Sequence, residues 1–250
     1  MSRSRPGSGC AVGVFSEDGR ALRKVDVLEP LSDTEIEDLM GRLPTMSFQK
    51  GNILFTPVHH GNLSFFLLEG SVRLYKACEG RELTLEIVHA GSIFSNSSPA
   101  AQRESRYSEE STGMNCGLYA QTLRPARVAM IRHEHFRKFI LEHPEVGLKA
   151  MANLERRLSF YAERMFDLGT REIPARLARL ILWLLEDEGV VSNEGLKIST
   201  RYTHEELATM IGSRRVAITR ALRELQNNGV ELKSRHIHVM DMEALRCVAA

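Results

Sequence analysis

The most constraining feature of the chain is the stretch Tyr202-Thr-His-Glu-Glu-Leu-Ala-Thr-Met-Ile-Gly-Ser-Arg-Arg-Val-Ala-Ile-Thr-Arg-Ala-Leu-Arg-Glu-Leu225. Thr203 and Glu206 have the spacing of a capping box, Leu207 and Ile211 follow as the buried stripe of a first helix, and Gly212 permits a tight turn into a second. At about 100° per residue along that second helix, Ile218, Leu222 and Leu225 fall on one side and must face a core. Val216, Thr219, Arg220 and Arg223 then turn outward, with Arg215 at the edge of that face. Arg214, Arg215, Arg220 and Arg223 lie in a ten-residue span with no acid among them, which suits a phosphate-lined groove. Val216 in the middle of this face gains nothing in water, whereas in a major groove it packs on a thymine methyl while arginine reads guanine.

The flanks extend the pattern. Ile173 to Leu185 predicts a helix apolar on a broad face, and Val230–Lys233 and His236–Met240 bracket Ser234-Arg235 as a two-stranded wing. Asp241 is placed to cap a final helix through Leu245. Residues 170–250 therefore read as a winged helix-turn-helix.

Upstream, Ser32 and Glu35 form a capping box before Ile36, Leu39 and Met40, predicting a short helix. From Phe48 to Phe94 come short runs rich in β-branched and aromatic residues: 53–55, 63–68, 72–75, 83–88 and 93–94. Gly51, Gly61, Gly70, Gly80 and Gly91 punctuate them at a spacing near ten, which predicts an antiparallel sandwich or jelly roll. Residues 95–117 break the alternation as a long loop, 118–131 resume strand character, and His133–Glu142 reads as a helix stopped by Pro144. Met151, Leu154, Leu158, Tyr161, Met165 and Leu168 are then spaced 3, 4, 3, 4, 3, an a/d seam that predicts a parallel dimer helix. The fold expected is α+β, with a poorly ordered tail over 1–24, a β-roll over 25–143, a dimerisation helix over 144–169 and the winged unit over 170–250.

Charge is nearly balanced, 33 Lys+Arg against 32 Asp+Glu, so attraction to nucleic acid must come from the local arginine cluster. Four dispersed cysteines (Cys10, Cys78, Cys116, Cys247) contain no C-x-x-C pair and give no reason for a disulfide framework or a zinc ribbon. A reducing cytoplasm is the expected location. The longest apolar run, Leu180–Leu185, is far short of the ~20 residues that a membrane span needs, so no membrane partner is expected.

A glycine-punctuated roll, a long a/d helix and a C-terminal winged motif carrying Thr-His-Glu-Glu-Leu-Ala-x-x-Ile-Gly-Ser-Arg-Arg-Val-x-Ile-Thr-Arg resemble the Crp/Fnr family of bacterial transcription regulators. The likeness covers roughly residues 30 to 248. It implies a cyclic-nucleotide-binding-domain-like jelly roll, a homodimer on a palindromic promoter site in double-stranded DNA, RNA polymerase as a partner, and an effector pocket in the roll beside the dimer helix. On matching positions it makes Arg215, Val216 and Arg220 the base readers, and Thr203, Ser213, Arg214, Thr219 and Arg223 contacts to the DNA backbone. Val216, where glutamate is frequent, resembles the nitrogen-control branch.

The resemblance has gaps. Cyclic-nucleotide-binding members carry Phe-Gly-Glu-Leu and then Arg-Ser or Arg-Thr; here the run is Gly91-Ser-Ile-Phe94-Ser-Asn-Ser-Ser98, with no glutamate after the phenylalanine. Cyclic AMP is therefore not an expected effector. Arg103, Arg106 and Arg124 are candidates for holding an anionic metabolite. A tail with only Cys10 does not suit an iron–sulfur cluster, and a redox pair of Cys78 and Cys116 is not expected. No cofactor is assigned, and haem stays open through His59, His60, His89, His133 and His135. Two rivals differ in class. A cupin-like metal enzyme would use His59, His60 and Glu69, but adjacent histidines on a strand point to opposite faces. A sensory dimer that does not bind DNA would not keep an acid-free arginine face.

Overall fold

The structure, a computed structural model, describes residues 16–57, 62–95, 118–192 and 195–250. Its first described helix is α1 (Glu17–Leu22), followed by a 3₁₀ turn at Asp26–Leu28 and by α2 (Asp33–Arg42). Strands β1 (Thr45–Phe48), β2 (Ile53–Phe55), β3 (Leu63–Glu69), β4 (Ser71–Cys78), β5 (Arg81–His89), β6 (Ile93–Ser95), β7 (Leu118–Thr122) and β8 (Ala126–Arg132) come next. They pair antiparallel in two sheets of four, ordered β1-β8-β3-β6 and β2-β7-β4-β5. This is the expected β-roll.

Four of its turns fall on glycines with positive φ: Gly51, Gly70, Gly80 and Gly91. Between β3 and β4 the chain reverses at Gly70 (φ +84°), where an added Cβ would lie 2.2 Å from the Pro125 carbonyl oxygen. Only glycine fits there. Phe55, Phe65 and Phe94 fill the space between the sheets with Leu67, Leu74 and Val128, and the Phe65 and Phe94 rings stack at 5.2 Å. On β3 the alternate residues Phe66 and Leu68 face the other way and pack with Leu22, Ile36, Phe136 and Val146 beneath the helices. Burial on both faces explains why this strand reads as a continuous apolar run rather than an alternating one.

Ser32 caps α2 through both halves of the expected box: its hydroxyl accepts from Glu35 N–H, and the Glu35 carboxylate accepts from Ser32 N–H at 2.7 Å. Two elements depart from expectation. The tail was expected through residue 24, but Ser16 caps α1 and Leu22 is fully buried against α2 and β3; residues 1–15 lie outside the described residues. Strand β1 is an edge strand with most of its side chains in solvent, so it lacks the apolar alternation that marks a strand in sequence.

Helices α3 (His133–Glu142), α4 (Pro144–Thr170) and α5 (Ile173–Glu188) lead to strands β9 (Gly189–Ser192) and β10 (Gly195–Ile198). The chain then forms α6 (His204–Met210), α7 (Arg215–Gln226), β11 (Val230–Lys233), β12 (His236–Val239) and α8 (Met242–Ala249). Strands β9 and β10 are absent from the sequence expectation, which places only a two-stranded wing after the helices. They extend the wing to a sheet of four, β11-β12-β10-β9, because β10 pairs with β12 as well as with β9. Leu177, Ile181, Leu184, Leu207, Ile218, Leu222, Leu225 and Val239 form the core of this C-terminal unit.

Replacing Phe94 by Ala removes one ring of the stacked pair at the centre of the roll and leaves a cavity. A loss of about 3–5 kcal/mol is expected. In urea the midpoint should fall with an unchanged slope, which a denaturation curve checks.

Candidate nucleic-acid interface

The motif is assembled by local chemistry. Thr203 Oγ1 accepts from Glu206 N–H at 3.1 Å while the Glu206 carboxylate accepts from Thr203 N–H at 2.7 Å, so α6 begins on a complete capping box. Gly212 adopts φ +62°, turning the chain so that Ser213 N–H donates to the Ala208 carbonyl at 2.9 Å and α7 starts across α6. Ile218, Leu222 and Leu225 are buried as the periodicity requires, joined by Ala221.

The opposite face of α7 is open. Arg214, Arg215, Arg220 and Arg223 are exposed, none pairs with an acid among the described residues, and Val216 is 65% exposed at their centre. Several arginines elsewhere are neutralised: Arg157 pairs with Glu86, and Arg171 and Arg179 with Asp167. Four unneutralised guanidinium groups around one apolar side chain can bind phosphates at the rim of a groove and base edges within it. Beside this face, Ser234 (φ 51°) and Arg235 (φ 66°) close the β11–β12 hairpin in the left-handed conformations that a two-residue reversal needs.

Two expected backbone contacts are already engaged. The Thr203 hydroxyl holds the cap, and Thr219 Oγ1 lies 2.9 Å from His204 Nδ1 and donates to the Arg215 carbonyl at 3.1 Å. His204 thus ties the two helices of the motif together. Sequence reasoning missed it, since a histidine after a cap carries no pattern of its own.

The expected dimer seam divides. Met151, Leu154, Leu158 and Met165 are between 62% and 72% exposed along one side of α4, with Leu148 extending the stripe. Tyr161 turns instead toward the roll, where its hydroxyl donates to Glu86 Oε2 at 2.5 Å. Arg157 Nη2 donates to the same oxygen at 2.6 Å. Burial pushes the Tyr161 hydroxyl pKa up, helped by the Glu86 carboxylate; for Arg157 burial opposes the charge, yet Glu86 and Tyr161 leave its pKa raised. Neither Glu86 nor Arg157 was singled out from sequence.

Of the effector candidates, Arg103 and Arg106 lie outside the described residues, as does the 96–117 stretch of the long loop. Arg124 is turned away from the roll interior and ion-pairs with Glu188 at the end of α5. That pairing removes it as a free anion-binding group. The histidines raised for haem are scattered: His89 meets Asp187 at 3.0 Å, His133 meets Ser95 Oγ at 3.0 Å, His135 is exposed beside Glu134, and His59 and His60 lie outside the described residues. Glu69, the third ligand of the cupin-like alternative, is bound to Arg127 at 2.5 Å. Among the described residues no three His, Cys, Asp or Glu converge as a metal site. Cys78 is disulfide-bonded to a partner outside the described residues, for which cysteine spacing gives no reason, and Cys247 is free and exposed.

A roll joined by a long helix to a winged helix-turn-helix with an open arginine face defines a DNA-binding regulator. The family model of the Crp-like helix-turn-helix domain matches residues 175–248, and that of the cyclic nucleotide-binding domain matches residues 45–143. The global nitrogen regulator of Synechocystis sp. is 28% identical over 203 residues, 80% of this chain and 85% of that protein. The CRP-like cAMP-activated global transcriptional regulator of Mycobacterium tuberculosis is 23% identical over 229 residues, 90% of this chain and 96% of that one. The fold is shared with a CooA mutant from Carboxydothermus hydrogenoformans (TM-score 0.70, 22% identity, 85% of this chain and 90% of that one). The chain belongs to the Crp/Fnr family of transcription regulators, and its relatives are regulators rather than enzymes. No helix among the described residues is long and apolar enough to cross a membrane.

Arg220→Ala is expected to weaken specific binding by about 1–3 kcal/mol and to relax preference at one base pair per half-site. Equilibrium binding to specific and random duplexes checks it, and an equal loss on both would make Arg220 a phosphate contact. Thr203→Ala, which removes the cap, should weaken all sequences alike.

Proposed function

We propose that this regulator works as a homodimer that reads a palindromic promoter site through α7 and acts with RNA polymerase. Residues 25–143 form the sensory roll, 144–169 the dimerisation helix and 170–250 the reading unit. Arg215, Val216 and Arg220 read bases; Ser213, Arg214 and Arg223 hold the backbone, with Thr203 and Thr219 at the same rim. The observation that carries this reading is the face of exposed arginines around Val216, none of which ion-pairs with an acid among the described residues. The valine there, like the 28% identity to a global nitrogen regulator, favours a recognition helix of the nitrogen-control kind.

The dimer rests on α4. Its inner side seats Val146, Arg157, Tyr161 and Arg164 against the rest of the same chain, leaving Leu148, Met151, Leu154, Leu158 and Met165 as an unpartnered apolar stripe. A second copy of the same stripe is its natural cover, because a two-fold axis along α4 matches each leucine to itself. Leu154→Asp with Leu158→Asp would bury carboxylates in that seam, at a cost of several kcal/mol. Sedimentation should then show a monomer; a dimer of unchanged mass would contradict the assignment.

Cyclic AMP is not the effector in this reading. The glutamate and the Arg-Ser pair that would hold it are missing between Gly91 and Ser98, and Arg157 and Tyr161 are committed to Glu86 where the roll meets α4. Calorimetry with cyclic AMP and cyclic GMP, paired with DNA-binding curves, should show no coupling. A genuine effector would couple by about 1–3 kcal/mol, so micromolar binding with a tenfold gain in DNA affinity would overturn this part.

A further inference from the structure

The reading unit is joined to the roll by more than the α4–α5 connection. Helix α6 lies against β5, where Thr84 Oγ1 and Thr209 Oγ1 meet at 3.1 Å with both residues buried. Ile87 and Leu123 of the roll belong to the same apolar cluster as Leu184, Leu207 and Met210. Around this contact His89 meets Asp187 at 3.0 Å, Arg124 pairs with Glu188, and Lys50 reaches Glu206 at 3.6 Å.

At the centre sits Arg164 of α4. Its Nη2 donates to the Met210 carbonyl at the end of α6 and to the Thr84 carbonyl on β5, the latter at 3.3 Å. The Met210 carbonyl belongs to the last turn of α6, where helix carbonyls lack partners and the helix dipole favours a cation. The guanidinium also lies 5.7 Å from the centre of the Phe160 ring, a second restraint on its position. No carboxylate ion-pairs with Arg164 among the described residues. One side chain therefore fixes three elements, α4, β5 and α6, through main-chain carbonyls whose places are set by the fold.

The contact uses the back of the motif. Helix α6 faces the roll while Val216 and the arginines of α7 stay exposed, so the docked arrangement is open to DNA. We infer that Arg164 is a positioning residue for DNA recognition: by locking α6 to α4 and β5 it sets the angle, and so the separation, at which two α7 helices of a dimer meet successive grooves. The inference rests on the dimer reading above. Two heads held at the right spacing bind a palindrome as one event followed by an intramolecular one, and that advantage disappears if their geometry is loose.

The test uses the full-length chain with a palindromic duplex selected from random sequence and a duplex keeping one half-site. Wild type should prefer the palindrome by about a hundredfold or more. Arg164→Ala should cut that preference by about tenfold or more, while half-site affinity and dimer mass stay unchanged. Arg164→Lys, which keeps one cation for the Met210 carbonyl, should recover part of it. If Arg164→Ala does not fold, Thr84→Val, which removes the hydroxyl that meets Thr209, should lower the same ratio. An unchanged ratio in a folded variant, or an equal loss on both duplexes, would overturn the inference. A wild-type dimer lacking any preference for the palindrome would also overturn it, whereas a wild-type monomer would contradict the dimer reading itself.

Discussion

Everything in this protein hangs on the two-sidedness of α4. Its 27 residues span about 40 Å, long enough to run the whole length of the roll and reach the reading unit. One side is polar and engaged: Asn153 and Arg156 hold Asp26, Arg157 and Tyr161 hold Glu86, and Arg164 holds two carbonyls. The other side is apolar and bare. A helix so divided is fixed to its own roll by directional bonds and is free to meet a second copy by a non-directional one, which separates the internal geometry of a protomer from assembly.

The same division recurs in α7. Its buried side is aliphatic and continuous with the core of the winged unit; its exposed side carries arginines that ion-pair with no acid among the described residues. Acids are plentiful elsewhere in the chain and pair with other arginines, so the bare face is a matter of placement and not of composition. In the proposed reading, phosphate contacts from such a face supply affinity in any sequence, and the central Val216 adds a contact to a thymine methyl.

What the sequence makes legible are features whose chemistry is local. The capping boxes at Ser32 and Thr203, the turn at Gly212 and the aliphatic stripe of α7 are each readable because the partner lies within a few residues. Tyr161 shows the limit of periodicity, since heptad spacing places it on the seam while Glu86, 75 residues earlier, draws it to the other side. Arg124 looks like a free loop cation until Glu188 is brought beside it across 64 residues. Arg164 was the least visible, because main-chain carbonyls at Thr84 and Met210 leave no mark in a side-chain pattern. Short strands β9 and β10 pair with each other and join the sheet only through β10 on β12, and so carry little signal of their own.

In the proposed reading, α7 reads base sequence through the face centred on Val216. Selection of duplexes from a random pool by wild type and by Val216→Glu, followed by sequencing, tests it most directly. A valine on a thymine methyl and a glutamate accepting from a cytosine amino group favour different bases, so the two selected motifs should differ at one symmetric position per half-site and agree elsewhere. Identical motifs would place Val216 outside the groove and contradict the account.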